Sequence, residues 1–465
     1  MTRVYVCFWF DTEDYVAPPS DDAAMRIARI FSEEGVSATF KLVGEKARRL
    51  RDRGREDVIA ALAAHDIGYH TDFHSRPPTV TQYLEGLGWE EGMAEFDRRE
   101  RQGLEDVEAI FGKRCSTYGQ PGGAWAPHVY PVLREWGIPT YVDEAAHIGL
   151  NDQPFWYCGV LNVLRMRSRC TRMQLGGGDN LRLGCEAFDG IAAELDQEGG
   201  GLISIYYHPC EWATTEFWDG VNFSRGRNTP LDALTMPPLK PKADAERDYA
   251  DFGAYLHHVA TSGAKLVTCA DLPALYPDTW AAAPLPTETL RCLTCGMSDE
   301  VGYQPVRHGW ASAAESFGVM AEALSRLEQV RCGAPLTGRY LDGPTARPAD
   351  NEACEVTREA FLEAAQDCHR QMRDTGRVPN EIIVGGHTVS PAGFAQAAAR
   401  VLMTELQGLS PAFVEISRTR MVMEREVIEE GSFGWGIFPE GFRAPKVMEL
   451  ARLQAWTLKP ALLKY

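Results

Sequence analysis

Two short stretches of the sequence concentrate side chains that could bind a metal ion. Residues 10–15 read F-D-T-E-D-Y and carry three carboxylates, and residues 70–74 read H-T-D-F-H, with two histidines four apart. Two histidines and one carboxylate facing one point make a three-ligand site for a divalent ion, with positions left for water and substrate. A second nearby carboxylate could then act as general base toward that water. Chance and packing at strand ends are the alternative, since buried imidazoles and solvated acidic turns are common.

The elements around these residues predict that they meet. Four polar residues directly follow apolar stretches that read as buried strands: Asp11, His70, Asp143 and His208. Helical periodicity separates the strands, which predicts a parallel sheet covered on both faces, either doubly wound or closed into a barrel. In a (β/α) barrel the carboxyl ends of the strands converge on one mouth. The four strand ends therefore favour an α/β barrel with a single active site.

Length, charge and composition narrow the class of protein. At 465 residues the chain predicts two domains. A net charge of -18 disfavours nucleic acid and anionic membrane surfaces as partners. The N-terminus shows no secretory pattern and no apolar run nears 18 residues, so we expect a cytoplasmic protein. A small-molecule or oligosaccharide substrate fits this composition, whereas the oligomeric state is left open.

A change of character near residue 280 predicts a domain boundary. We expect a (β/α) barrel over 1–275, a Pro/Ala-rich linker over 276–291 and a mostly helical accessory domain over 292–465. Within the second domain, a hairpin across Gly385-Gly386 precedes a helix capped by Ser390-Pro391.

Over residues 1 to about 275 the chain resembles the NodB-homology polysaccharide deacetylase family of metal-dependent carbohydrate esterases. The resemblance rests on H-T-x-x-H at 70–74, on the acidic end of the first strand, and on Tyr207-His208-Pro209 at the end of a late strand. It implies a distorted (β/α) barrel that binds zinc or a similar ion. It also implies a hydrolase that removes an acyl group, typically acetyl, from an N-acylated amino sugar or glycan.

The resemblance assigns roles to individual residues. It implies that Asp11 is the catalytic base and that His208 is the general acid or a transition-state stabiliser. His70 and His74 correspond to metal ligands. The third ligand is expected to be Asp14, with Glu13 as the alternative, because family members differ in how the two acidic residues are spaced.

The stretch Y-G-Q-P-G-G-A-W-A-P at 118–127 departs from the family pattern. Gln120 stands where the family has an arginine that orients the base, so the base is expected to be tuned differently or turnover to be poor. Backbone N–H groups of Gly122-Gly123 could face a developing oxyanion. The expected substrate-binding residues are taken from this stretch, from the fourth-motif aspartate and from the aromatic loop after His208: Gln120, Pro121, Gly122, Trp125, Asp143 and Trp212.

Alternatives remain at this stage. The same barrel could hydrolyse ureides or cyclic amides, or it could be a non-catalytic carbohydrate-binding relative that keeps its metal. Residues 375–403 resemble, more weakly, pseudomurein-binding-type repeats, which would give the second domain a glycan-binding or scaffolding role. A helical domain that packs on the barrel and shapes its mouth is an equally good interpretation.

Overall fold

The structure of the protein is a computed structural model that describes residues 3–144, 147–280, 284–307, 309–348, 353–428 and 433–464. Its centre is one curled sheet, accompanied by three small two-stranded sheets. The strands are β1 Val4–Thr12, β2 Thr39–Leu42, β3 Asp66–Tyr69, β4 Thr117–Tyr118, β5 Thr140–Val142, β6 Phe155–Tyr157, β7 Val160–Val163, β8 Gly201–Tyr207, β9 Lys265–Val267, β10 Gln304–Val306, β11 Gly309–Ala311, β12 Cys354–Thr357, β13 Ile382–Val384, β14 His387–Val389, β15 Phe413–Ile416 and β16 Lys459–Pro460.

The order of the strands shows why the barrel is distorted. The large sheet runs β16-β6-β7-β5-β4-β3-β2-β1-β8, and β9 adds to the start of β1 while β2 pairs with its end. Neighbours from β7 through β5, β4, β3, β2 and β1 to β8 are parallel, whereas β6 and β16 are antiparallel to their partners. The predicted fold class is confirmed in its architecture: an α/β protein with a distorted (β/α) barrel and a mostly helical C-terminal region.

Helices cover the outer face of the sheet. Val6, Phe8 and Phe10 of β1 are at most 1% exposed, and Phe8 and Phe10 pack against Phe31 and Phe252 on two of these helices. The helices are α1 Pro18–Glu33, α2 Gly44–Asp52, α3 Glu56–Ala63, α4 Val80–Leu84, α5 Trp89–Phe111, α6 Val129–Trp136, α7 Asn180–Gln197, α8 Cys210–Ala213, α9 Trp218–Phe223, α10 Lys242–Thr261, α11 Leu272–Leu275, α12 Thr287–Asp299, α13 Ala313–Ser325, α14 Leu327–Arg331, α15 Arg358–Thr375, α16 Pro391–Glu405 and α17 Pro445–Gln454. None of the helices in these ranges is long and apolar enough to cross a bilayer.

The C-terminal region is built into the barrel rather than tethered to it. Strand β16, close to the end of the chain, pairs with β6 of the central sheet. Arg134 of α6 forms a two-pronged ion pair with Asp342, and the Tyr157 hydroxyl donates to the carbonyl of Ala451. Part of the expected linker over 276–291 is already helical, because α12 begins at Thr287. The division into separate domains stays a prediction.

Candidate active site

Parallel strands bring the expected residues to one edge of the sheet. Asp11 lies near the end of β1, His70 follows β3, Asp143 follows β5 and His208 follows β8. All four sit at carboxyl ends of parallel strands, which is where a (β/α) barrel gathers its reactive groups. The site has two parts, which we name by their expected roles: the metal half, formed by Glu13, His70 and His74, and the base half around Asp11.

The metal half is a cluster of three buried side chains. Oε2 of Glu13 lies 2.7 Å from Nε2 of His74 and 3.4 Å from Nε2 of His70. All three residues are at most 5% exposed. Neither Nε2 atom forms a hydrogen bond of acceptable geometry with any described part of the chain. Buried polar atoms without hydrogen-bonding partners are rare in folded proteins, so two such imidazole nitrogens beside a carboxylate fit a bound cation.

The contacts of the opposite ring nitrogens favour tautomers in which the Nε2 atoms are free to bind a cation. Nδ1 of His70 lies 2.9 Å from the carbonyl oxygen of Gly119, and Nδ1 of His74 lies 2.6 Å from Oγ of Ser75. The Ser75 hydroxyl donates in turn to the Asp219 carboxylate at 3.0 Å. Partners of this kind on Nδ1 are typical of metal-binding histidines because they fix the tautomer and the ring orientation. Two imidazole nitrogens and one carboxylate oxygen therefore fit zinc or a similar divalent ion.

The backbone of the histidine segment is held in an uncommon conformation. Thr71 and His74 both have positive φ, 65° and 53°, in the left-handed region that residues other than glycine seldom adopt. The His74 N–H donates to Oγ1 of Thr71, and the Asp72 N–H donates to the buried Glu100 carboxylate at 2.7 Å. Strain of this kind concentrates at functional sites, where surrounding contacts maintain it.

Protonation is the alternative to a cation between these groups. Burial lowers the pKa of His70, which favours its neutral, ligand-competent form. Burial acts in the same direction on His74, but the Glu13 carboxylate outweighs it and raises the pKa of that imidazole. Without a cation, Glu13 and His74 would thus share a proton as an ion pair.

Asp14, the expected carboxylate ligand, is directed elsewhere. Its Oδ1 accepts the backbone N–H groups of Val16 and Ala17 at 2.9 and 3.0 Å, just before α1 begins. Asp14 therefore lies outside the cluster formed by Glu13, His70 and His74, and the choice of carboxylate ligand stays a prediction that the structure inclines toward Glu13. Glu13, the alternative, takes that place, and its second oxygen accepts the Trp218 indole N–H at 3.0 Å.

The base half is organised by a lysine that the sequence reasoning missed. Register places Lys41 of β2 beside Asp11 of β1. The fully buried Lys41 ammonium lies 2.8 Å from Oδ1 of Asp11 and 3.0 Å from Oδ2 of Asp143, and it donates to the carbonyl of Val142 at 2.8 Å.

Burial opposes ionisation of Asp11, but His70 and Lys41 lower the pKa of that carboxyl below its usual value. Burial raises the pKa of Asp143 to about 7, against the opposing effect of Lys41.

Lys41 places a positive charge beside Asp11, whereas Gln120 is neutral. Gln120 is buried, and its side-chain amide donates to the carbonyl of Gly122 at 3.1 Å. Gly119 makes room for the lysine, since a Cβ at that position would meet the Lys41 ammonium at 2.1 Å. A charged residue near the end of a strand that otherwise reads as buried, in T-F-K-L, is the sequence signal that could have revealed it.

His208 faces Asp11 from the far side of the base half. Its Nε2 lies 3.7 Å from Oδ2 of Asp11, and its Nδ1 lies 2.9 Å from the Glu211 carboxylate, which also pairs with Arg172. Burial disfavours the charged imidazole, but Glu211, Glu13 and Asp11 together raise the pKa of His208 to about 9. The imidazole is therefore set to hold a proton at neutral pH.

The residues expected to bind substrate are distributed differently from the prediction. Gln120, Pro121 and Asp143 are buried beside the site or in its base half. Trp125 and Trp212 are at most 1% exposed; Trp125 donates to the Tyr130 hydroxyl, and Trp212 packs on core aromatic rings. Both indoles pack with their apolar faces in the core, and their expected contact with substrate stays a prediction.

The sequence matches no protein-family model and no curated protein. Solved structures similar to the chain include a Mycobacterium smegmatis protein classed with the polysaccharide deacetylases (15% identity, 57% of this chain, 87% of that chain, TM-score 0.39). Puue allantoinase matches at 14% identity over 60% of this chain and 93% of that chain, with a TM-score of 0.39. A CE4 family pseudoenzyme from Bacillus anthracis matches at 13% identity over 57% and 64%, with a TM-score of 0.31. Likenesses this distant assign neither an activity nor a substrate to this chain.

Proposed function

We propose that the protein is a metal-dependent hydrolase that cleaves the carbon–nitrogen bond of an N-acyl group, and that its substrate is a small N-acetylated amino sugar or glycoside. The observation that carries the proposal is the pairing of two unlike carboxylates in one site. Glu13 lies with two imidazoles whose Nε2 atoms have no hydrogen-bonding partner among the described residues, whereas Asp11 is kept ionised by Lys41. One carboxylate thus suits a ligand and the other a base.

Glu13, His70 and His74 would hold the metal, and zinc suits this donor set. When bound, the ion supplies Lewis acidity toward the acyl carbonyl. The base half supplies proton transfer. Asp11 accepts a proton from the attacking water, whose oxygen forms the new bond to the acyl carbon.

His208 completes the reaction at the leaving group. Its Nε2 proton passes to the amide nitrogen as the carbon–nitrogen bond breaks, which releases a free amine and a carboxylate. The Glu211 carboxylate on Nδ1 keeps the ring oriented and charged for this step. Lys41 holds Asp11 in place throughout and does not itself contact the reacting atoms.

The direct test is release of acetate from zinc-reconstituted protein with N-acetylglucosamine and its glycosides, beside a panel of ureides and cyclic amides. We expect acetate release, and we expect Asp11→Asn to retain zinc and lose about 10²–10⁴-fold in kcat, the range that general acid–base catalysis contributes. If only the ureides and cyclic amides are hydrolysed, these compounds replace the N-acetylated sugars as the proposed substrates. Wild-type and Asp11→Asn protein that are equally inert on both panels would contradict the hydrolase and favour a binding protein.

A further inference from the structure

A cavity of about 500 Å³ lies beside the histidine segment. Its lining comes from residues 71–74 and 76–80, from Tyr83, from residues 98–100 of α5 and from Asn228. The cavity shares His74 with the metal half, but the reaction proposed above uses none of its other lining residues. The hydrolase therefore leaves most of this cavity without a role.

Three arginines make this cavity cationic in a chain whose net charge is -18: Arg76, Arg98 and Arg99. Arg98 and Arg99 are neighbours on α5, and both pair with the same carboxylate, Glu95, at 2.7 and 2.5 Å. Two guanidinium groups that share one acidic partner leave an excess of positive charge in the cavity wall.

The guanidinium of Arg76 has no ion-pair or hydrogen-bonding partner in the part of the chain that the structure describes. The side chain is half-buried, and its Cζ lies 5.3 Å from the centre of the Phe73 ring. Arg48 lies over the same ring at 5.1 Å, but it is paired with Asp72 and Asp106 at 2.7 and 2.9 Å. Charged groups withdrawn from water are normally paired, so Arg76 fits an anionic ligand in the cavity.

The two carboxyl groups in the cavity lining do not neutralise Arg76. Asp72 pairs with Arg48, which is not a lining residue. Glu100 is buried, and its oxygens accept the Tyr83 hydroxyl at 3.0 Å and the Asp72 N–H at 2.7 Å. Because both carboxylates are engaged by other donors, the guanidinium of Arg76 is left for a ligand.

We propose that this cavity binds a phosphate group, carried either by free phosphate or by a phosphorylated sugar. Guanidinium groups are planar, remain charged and can donate two parallel N–H···O bonds to a phosphate. Three of them suit a phosphate monoester, whose charge approaches -2 at pH 7, better than a singly charged carboxylate. The volume also leaves room for a small organic group, since ligand pockets typically span about 300–1,000 Å³. This inference does not depend on the hydrolase proposed above.

Calorimetry with inorganic phosphate, glucose 6-phosphate and glucose tests the site without relying on turnover, because none of the three carries an acyl group. We expect wild type to bind both phosphates and not glucose. Arg76→Met should weaken phosphate binding by about tenfold or more, since hydrogen bonds to a charged group are lost. Arg76→Lys keeps the charge without the planar fork and should give an intermediate loss. Tighter binding of glucose 6-phosphate than of phosphate would assign a phosphorylated sugar to the cavity, and equal affinities would assign free phosphate.

Two control variants separate this cavity from other sources of anion binding. Arg101→Met removes an exposed arginine of α5 that pairs with Asp97 and does not line the cavity, so phosphate affinity should stay unchanged. Glu13→Gln alters the metal half and spares the cavity lining, so it too should keep the wild-type affinity for phosphate. Thermal unfolding checks that each variant stays folded.

Three results would overturn the proposal. The first is wild-type protein that binds neither phosphate, and the second is equal affinity in wild type and Arg76→Met. The third is a loss of affinity in Arg101→Met or Glu13→Gln that matches the loss in Arg76→Met, because general charge or a bound metal ion would then account for the binding. A protein that hydrolyses no N-acyl sugar but loses phosphate only with Arg76 would keep this site and reject the proposed hydrolase.

Discussion

The two halves of the site are built on different principles. In the metal half, Glu13, His70 and His74 come from two short stretches of sequence, and each histidine is oriented through its far nitrogen. In the base half, Asp11 depends on Lys41 from a neighbouring strand and on Asp143 from a third one. Local spacing thus narrows the candidate metal ligands to two short stretches without choosing between Glu13 and Asp14, whereas the surroundings of Asp11 depend on which strands lie side by side.

The sharpest contrast within the acidic stretch is between Glu13 and Asp14. Glu13→Gln removes a charged ligand atom beside two imidazoles, so zinc affinity should fall by more than the about 10–100-fold that loss of an outer-shell partner costs. Asp14→Asn is the matched control, because the asparagine oxygen can still accept the N–H groups of Val16 and Ala17. Zinc titration of both variants decides the assignment, and a larger loss for Asp14→Asn would return the ligand role to Asp14.

Replacement of Lys41 should lower kcat through the base half and leave zinc binding by the metal half unchanged. Lys41→Met leaves Asp11 without the cation that orients it, so kcat should fall by about 10²-fold or more while zinc content stays at the wild-type level. KM should change little, since Lys41 does not touch substrate in this account.

A double variant distinguishes the effect of Lys41 on the orientation of Asp11 from its effect on the stability of the fold. Breaking a buried ion pair leaves an uncompensated charge and costs about 3–5 kcal/mol of stability. Lys41→Met/Asp143→Asn removes one of the two carboxylates left behind, so it should recover stability in thermal unfolding without recovering kcat. Recovery of kcat in the double variant would show that Lys41 acts only on stability.

The pH dependence of turnover tests the pairing of His208 with Glu211. His208 must be protonated to act, so activity is expected to fall as pH rises through the pKa of His208, about 9. Glu211→Gln removes the main partner of the charged form, so this pKa falls and the alkaline loss of kcat should begin at lower pH. If the loss of kcat at alkaline pH is the same in Glu211→Gln as in wild type, a group other than His208 causes that loss.

The smallest expected effect concerns Glu100, which supports the histidine segment. Burial raises the pKa of this carboxyl to about 7. Between its ordinary pKa of 4.5 and about 7 the folded state binds more protons than the unfolded state, so stability falls as pH rises through this window. The glutamine of Glu100→Gln does not titrate, so the free energy of unfolding should decline less with rising pH in this variant. The difference should reach up to about 3 kcal/mol at high pH. Denaturant unfolding at pH 5 and pH 8 measures the difference, and parallel declines in both proteins would contradict it.

Much of the fold can be predicted from the sequence, because the sequence patterns that indicate it are local. Strand ends at Asp11, His70, Asp143 and His208 and the hairpin across Gly385-Gly386 all lie where the apolar runs and turn residues predict. The capping of α16 by Ser390 is likewise confirmed, because the serine hydroxyl accepts the Gly393 N–H.

What escaped prediction depends on contacts between distant segments. Trp435 reaches the site from more than 300 residues beyond His74 in the chain, and no local pattern indicates it. The position of Asp14 apart from the histidines is by contrast a local effect, because the N–H groups of Val16 and Ala17 just before α1 engage its carboxylate. The weaker resemblance of 375–403 to pseudomurein-binding-type repeats finds no support among the comparisons with known proteins.

Metal content tests the central claim most directly. Purified wild type and a His70→Ala/His74→Ala double variant should be compared by elemental analysis after equilibration with zinc and removal of excess. The account predicts close to stoichiometric zinc in wild type and its loss in a variant that remains folded. A well-folded wild-type protein that binds no added divalent metal would mean that Glu13 and His74 share a proton instead, and the metal-dependent hydrolase would be contradicted.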